Sequence, residues 1–436
     1  MKPTFETIQT DIKKVQAGDW FLPLTIKDIN QHCLINDALE KGAVGFTFEQ
    51  GQELSITTSA PHFSVPDLRQ YLFSLAQQKR AQLNSQIAVI TGSAGKTSVK
   101  EILGSILRSH SEKCFISPDN QNTKIALANQ ILRLPPDCPI AAFEMGARRL
   151  QDFQIPLSYL QPSIVALLNI GTAHVGEFGS LENLWKEKLS GLSAPSAKTI
   201  IAFGDDSKIL DYAHTTQKKV ITFGFNDDND IQVLSDTKDT VDLKIFGFHK
   251  VFSTSFVSSG KGINVAAAVS LALALDIPFE TIVHGLSKFT GVARRFQIFK
   301  WQGLTAIDDA FNASPESMNL GLEQLQKTFT NKKTLLVLGS MLELGTESEK
   351  AHDAVADSIH RLFLSQNTSL GLATVGDEAL RIHSKALKLG LSKNQAKHFA
   401  SAMEARAVIR QWSKEFEVIY FKGSKSIQLQ NIFGEL

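Results

Sequence analysis

Lys96 and Thr97 are the residues of this 436-residue chain whose types and setting most clearly ask for a chemical partner. They belong to the stretch Thr91-Gly92-Ser93-Ala94-Gly95-Lys96-Thr97-Ser98. Glycines at such a turn let backbone N–H groups point inward, and a helix N-terminus adds roughly half a positive charge. A lysine placed there reaches the terminal phosphates of a nucleotide, and a threonine hydroxyl holds magnesium. The longer form of this loop has a glycine five residues ahead of Gly95, where this chain has Ile90. From the loop alone, a plain glycine turn between strand and helix competes with phosphate binding.

Other reactive side chains stand at the ends of short apolar runs. "IAAFEMGA" ends in Glu144, and "SIVALLNIGTAH" ends in Asn169 and leads to His174. Ligands of doubly wound sheets bind outside the carboxyl ends of the strands, so a carboxylate there suits a magnesium ion beside a triphosphate. Lys188, in "LWKEKLS", is on its own an ordinary helical lysine, and His174 on its own an ordinary loop histidine.

The elements that must position these residues are legible as alternating patterns. "SQIAVITG" predicts a buried strand ahead of the loop, and "KTSVKEILGSILRSH" a helix after it. "KTIIAFGDD" and "KVITFGF" are further strands of the same kind, so the middle of the chain is expected to be a doubly wound α/β sheet. Before it, "GAVGFTFEQ" and "LSITTSA" carry strand-like residues, and "VPDLRQYLFSLAQQKRAQL" predicts an amphipathic helix. After it, "GLTAIDDAF", "KTLLVLGSM", "LGLATVGDE" and "FEVIYFKGS" are strands of a second α/β unit, with the helix "SEKAHDAVADSIHRLF" among them. The expected division is 1–83, 84–296 and 297–436.

Composition narrows the function classes. Lys and Arg total 45 against 44 Asp and Glu, a net charge of +1, which argues against nucleic acid or an anionic membrane as partner. The longest strongly apolar run, Val265 to Leu275, is about half of the ~20 residues a spanning helix needs and predicts a buried helix instead. Cys33, Cys114 and Cys138 form no CxxC pair, and an odd number suits a reducing compartment. The first residues, "MKPTFETIQTDIKK", have no apolar signal core, so a cytoplasmic protein is expected.

Taken together with "FEMGA", "LLNIGTAHVGEFGSLE", "IDDAFNASPESM", "LGSMLELG" and "FKGSKS", the loop resembles the Mur ligase family in order and spacing over essentially the whole chain. That family uses a shortened loop, T-G-x-x-G-K-T, which Thr91 to Thr97 fit with Ile90 in place. "DDAFNASP" and "LGSMLELG" resemble signatures of the branch that adds D-alanyl-D-alanine to UDP-N-acetylmuramoyl-tripeptide. The resemblance implies a three-domain architecture: a small N-terminal α/β domain for the UDP-linked substrate, a central ATP-binding sheet and a C-terminal Rossmann-like ligase domain. It also implies ATP and Mg2+, an acyl-phosphate route to an amide, and a monomer.

By position, the resemblance assigns catalysis to Lys96, Glu144, His174 and Lys188, and metal binding to Thr97, Glu144, His174 and Lys188. Lys188 falls where the family places a lysine that is often carbamylated, which turns a cation into an anion able to hold magnesium. ATP contacts are implied for Gly92, Ser93, Ala94, Gly95, Lys96, Thr97 and Ser98. They are also implied for Asn264, Arg295, Asp309 and Asn312, with Ser317 nearby. Asn264 also suits a helix N-cap, and Asp309 and Ser317 suit plain turn chemistry. Asp11, Lys13, Asn120 and Asn122 are the implied substrate residues.

Departures from the family pattern gather at the substrate end. D-S-R is here Asp11-Ile12-Lys13, and a lysine makes no bidentate phosphate contact. A D-G-H near Asn30 survives only as His32. N-x-N-N-x-I-G-x-P is "NQNTKIALA", with Thr123, Ala126 and Ala128 at changed positions. Gly260, Ser190 and Lys425 replace a histidine, a glutamate and an arginine. Two alternatives therefore stand beside the leading expectation: a related ligase with another acceptor, such as a folylpolyglutamate-type enzyme, and a non-catalytic nucleotide-binding homologue.

Overall fold

The computed structural model describes residues 3–25, 29–52, 58–366 and 369–434. Three sheets account for its strands. The first is four-stranded and parallel, built from Ile8–Gln9, Trp20–Phe21, Gly45–Glu49 and His62–Val65. "GAVGFTFEQ" supplies its third strand; most of "LSITTSA", residues 54–57, lies outside the described residues.

The second sheet has nine strands. Gln86–Thr91, the strand ahead of the phosphate-type loop, lies between Ile140–Glu144 and Ile164–Leu167, parallel to both. These three strands deliver the loop, Glu144 and the Asn169–His174 segment to one edge of the sheet. Their residues are buried nearly throughout because helices cover both faces, which is why each reads as an unbroken apolar run. Helices Lys96–His110, Lys261–Ala274 and Phe279–Lys288 cover one face. The far edge differs from a simple doubly wound sheet: Ile231–Asp236, Thr240–Ile245 and Phe248–Ser253 form an antiparallel meander. Only one face of that meander is buried, so Thr240–Ile245 alternates apolar and polar residues, a period-two pattern unlike the unbroken apolar runs of the central strands.

The helix Leu68–Arg80 belongs to the first stretch of sequence but not to a separate core. Its Leu68, Leu72 and Phe73 join Leu127, Phe143 and Leu167 in one hydrophobic cluster on the other face of the second sheet. The first sheet keeps only a small cluster of its own around Phe21, Ile35 and Phe46. This packing brings Arg69 and Gln70, on the helix's polar side, to the mouth of the central cavity.

The third sheet has six strands in the order Gln297–Trp301, Leu304–Asp308, Val418–Lys422, Thr334–Gly339, Leu370–Val375 and Ala396–Phe399. All neighbours are parallel except the first pair. Its helix Pro315–Thr328 begins with a capping box between Ser314 and Ser317, so the Ser317 hydroxyl serves the helix start. No helix among the described residues is long and apolar enough to cross a membrane.

Candidate active site

One cavity of about 680 Å³ opens between the second sheet, the start of the third sheet's unit and the start of the helix Leu68–Arg80. The second sheet contributes Ser93 to Ser98, Asn120, Asn122, Glu144, His174 and Lys188 to its wall. Arg295 and the segment Phe311 to Ser314 face them from the start of the third sheet's unit, and Arg69 and Gln70 close the remaining side.

The loop is shaped for an anion. Gly95 caps the helix Lys96–His110 with φ +84°, a left-handed conformation that glycine adopts without strain. A Cβ on Gly95 would lie 2.7 Å from Asn264 Oδ1, so a side chain is excluded on space as well. Lys96 donates its ammonium to the carbonyls of Gly92 at 2.7 Å and Ser93 at 3.2 Å. Burial lowers its pKa; Glu144 opposes that shift and Arg295 adds to it.

Thr97 and Glu144 meet at this mouth. The threonine hydroxyl donates to Glu144 Oε2 at 2.8 Å, and Asn122 Nδ2 donates to Oε1 at 2.7 Å. Glu144 is only 2% exposed, so these bonds are what keep a carboxylate inside. A hydroxyl and a carboxylate, both hard oxygen donors, fit a divalent cation such as magnesium. Arg295 reaches the same hydroxyl at 3.5 Å and lies over the Phe311 ring at 4.2 Å.

Lys188 is buried to 2% exposure, beside the Gly92 carbonyl at 3.4 Å and over the Phe153 ring. Burial first and the Lys96 charge second push its amine down to about 7. His174 is likewise pushed down to about 4, by burial and then by Lys96, Lys188 and Arg148. It is therefore neutral near pH 7, and its Nδ1–H donates to Glu343. With Glu177, these side chains bring three ligand atoms within 4.8 Å of one another.

Several expected residues sit elsewhere than the sequence implies. Asn264 is not the N-cap of its helix: the helix starts at Lys261, with Gly260 in a left-handed cap. Asn264 is buried behind the loop at Gly95 and does not line the cavity. Asp309 is not on the wall either. Its carboxylate accepts from Lys422 and Tyr420, each at 2.8 Å, and from the Phe296 N–H at 3.1 Å. Both members of the Asp309–Lys422 pair are at most 5% exposed. Removing one partner strands a buried charge, so Asp309→Ala is expected to cost about 3–5 kcal/mol, read as a lower denaturant midpoint.

At the substrate end, Asp11 Oδ1 accepts from the Lys13 N–H at 3.0 Å and caps a short turn. Neither residue lines the cavity, whereas Asn120 and Asn122 do. The residues that sequence alone did not place in the site are Arg69, Arg148, Phe311, Glu316 and Glu343. Glu316 Oε1 accepts from Thr172 N–H at 2.7 Å, and the Gly176 N–H donates to the Glu343 carbonyl at 3.0 Å. Both glutamates lie in quoted motifs, "SPESM" and "LELG", but their partners are 144 and 169 residues away for the side chains concerned.

Comparisons with known proteins place the fold. The Mur ligase middle domain matches residues 90–272, and the Mur ligase, glutamate ligase domain matches residues 294–425. The chain is 25% identical, over 98% of its length and 92% of the relative's, to the UDP-N-acetylmuramoyl-tripeptide–D-alanyl-D-alanine ligase of Bacillus subtilis. It is 26% identical to the ligase of that name from Escherichia coli, over 99% of this chain and 94% of that protein. Among solved structures, MurF from Acinetobacter baumannii superposes with a TM-score of 0.85 and 25% identity, covering 98% of this chain and 92% of that one. The MurF ligase of Thermotoga maritima, solved in complex with ADP, shares the fold at a TM-score of 0.84 and 23% identity, over 99% and 97% of the two chains.

Proposed function

The chain belongs to the Mur ligase family, and from that premise we propose that it joins D-alanyl-D-alanine to the terminal carboxylate of UDP-N-acetylmuramoyl-tripeptide, using ATP. The observation that carries this reading is the single cavity in which the loop, Glu144 and Lys188 face Asn312 and Ser314 from the other α/β unit. A nucleotide held by the first group and an acceptor peptide and amine held between the two would meet in one cavity. The three stretches 1–83, 84–296 and 297–436 act as three domains around it, although the helix Leu68–Arg80 packs with the second.

The chemistry follows from the charges. A carboxylate is a poor electrophile; transfer of the γ-phosphoryl group to it supplies a leaving group. The amine of the dipeptide then attacks the carbonyl carbon, phosphate departs with the electron pair, and the nitrogen loses a proton. Lys96 donates to the transferring phosphoryl oxygens, and the loop N–H groups hold the neighbouring phosphates. Arg295, braced on Phe311, adds a third source of positive charge beside Thr97. Thr97 and Glu144 would hold one magnesium, and His174 and Lys188, the latter as its carbamate, would serve a second. Magnesium, when bound, neutralises charge on the phosphates.

Purified protein supplied with ATP, the UDP-tripeptide and D-alanyl-D-alanine is expected to release phosphate only when all three are present. Turnover with other carboxylates and none with the UDP-tripeptide would favour a related ligase instead. The near-zero net charge and three free cysteines support a cytoplasmic protein without a nucleic-acid partner.

Lys188 gives this reading a pH signature. Carbamate formation needs the neutral amine, which attacks CO2 and releases a proton. The amine is protonated below about 7 and neutral above it. Activity is therefore expected to rise with pH through about 7 and to fall when bicarbonate is stripped from the buffer. Lys188→Arg stays charged at all these pH values and is expected to lose activity without recovering it at higher pH.

A further inference from the structure

The phosphate loop of this chain is short: only Ser93 and Ala94 separate its two glycines, against four residues in the longer form. A loop this short has few backbone groups with which to close on itself. The missing partners come from the next strand. Asn169 follows Ile164–Leu167, which pairs directly with the loop's own strand through Thr91 and Leu167. Its side-chain oxygen accepts from the Ser93 N–H at 3.1 Å and from the Ala94 N–H at 2.8 Å. Its side-chain nitrogen donates to the Ala94 carbonyl at 3.1 Å. The backbone carbonyl of Asn169 takes the Ser93 N–H as well, at 3.1 Å, and the Gly171 N–H donates to Ser93 Oγ at 2.9 Å.

We propose that Asn169 is the positioning residue of the nucleotide site: its carboxamide replaces the closing bonds that the shortened loop lacks. The consequence for the site is direct. Lys96 is held by the carbonyls of Gly92 and Ser93, and the Ser93 carbonyl belongs to the peptide unit whose N–H Asn169 grips. Freeing Ser93 and Ala94 therefore lets both the ammonium and the helix N-terminus lose their aim. Asn169 itself is not on the cavity wall, so it acts through the loop and not on the substrate. Aspartate keeps the oxygen that accepts both N–H bonds; alanine keeps neither the oxygen nor the nitrogen.

The inference rests on the proposed ATP-dependent reading, and two of its readouts need no ligation. Asn169→Ala is expected to speed amide hydrogen exchange in residues 92–97 at least tenfold, about 1.4 kcal/mol of lost protection, while exchange in the flanking strands is unchanged. It is expected to weaken binding of a fluorescent ADP analogue by about tenfold or more. In the full reaction the KM for ATP rises by the same factor, while the KM values for the UDP-tripeptide and the dipeptide stay within about twofold. Asn169→Asp is expected to keep slow exchange in residues 92–97, which tests the bond pattern even where the alanine variant folds poorly. Unchanged exchange and unchanged ADP-analogue affinity in Asn169→Ala would overturn the proposal, as would fast exchange in a folded Asn169→Asp. Wild-type protein that binds the analogue but forms no amide would instead overturn the assigned reaction and leave Asn169's role standing.

Discussion

Replacing Lys96 with methionine is expected to lower kcat by about 10²- to 10³-fold and to leave the melting temperature unchanged or raised. The ammonium is the loop's only side-chain cation, and its removal takes a preorganised positive charge from the phosphoryl group in flight. Stability moves the other way because the charge is held out of water. Burial disfavours its charged form, and Arg295 adds repulsion. Methionine has similar length and no desolvation cost. The same substitution carries a second reading. Lys96 is the second cause, after burial, of the low pKa of Lys188. Without it, the Lys188 amine titrates above the present value of about 7. The residual activity of Lys96→Met is therefore expected to reach its plateau at higher pH than wild type. A pH profile of the variant that overlays the wild-type profile would show that the two lysines do not share one field.

Gly176→Ala is expected to lower kcat by about 10- to 100-fold with nucleotide affinity intact. Gly176 lies in the short helix Val175–Phe178, is absent from the positive-φ glycines and would ordinarily accept alanine without penalty. The obstacle is across the cleft. A Cβ there would lie 2.8 Å from the Gly345 nitrogen and 3.0 Å from the Glu343 carbonyl oxygen, both on the third sheet's side. Backbone cannot step aside as a side-chain end can, so the two units must part by a fraction of an ångström or more. That displacement loosens His174 and Arg148 from Glu343, and Thr172 from Glu316. The phosphate-type loop lies on the other side of this contact and is untouched. X-ray scattering with nucleotide bound should then show a larger radius for the variant than for wild type; equal radii and equal kcat would show that this contact does not set the approach of the units.

These two sites differ in how far the linear chain announces them. The loop could be read directly because its chemistry is local: a strand, a glycine turn and a helix opening on lysine and threonine lie within a dozen consecutive residues, and each responds to backbone geometry alone. Glu144 was legible for a related reason, since a carboxylate ending an apolar run must emerge at a strand's carboxyl end. The Gly176–Gly345 contact left no such trace, because each glycine is unremarkable until the other is set against it. Asp309 shows the opposite case. Its motif pointed to nucleotide, yet Lys422 and Tyr420, more than a hundred residues on, claim the carboxylate instead.

What this chain's sequence determined by itself is the alternation of its α/β units and the short phosphate loop, because periodicity, turn chemistry and helix starts depend on neighbouring residues; the family came from the resemblance of whole motifs. The tertiary structure alone decided which charges share one cavity. Strand order placed Asn169 against the loop, packing turned Arg69 and Gln70 into the cavity mouth, and the approach of the third sheet set Glu316 and Glu343 on the segment from Thr172 to Gly176. Those contacts join residues far apart in the chain through distance and desolvation, and neither quantity exists until the chain has folded.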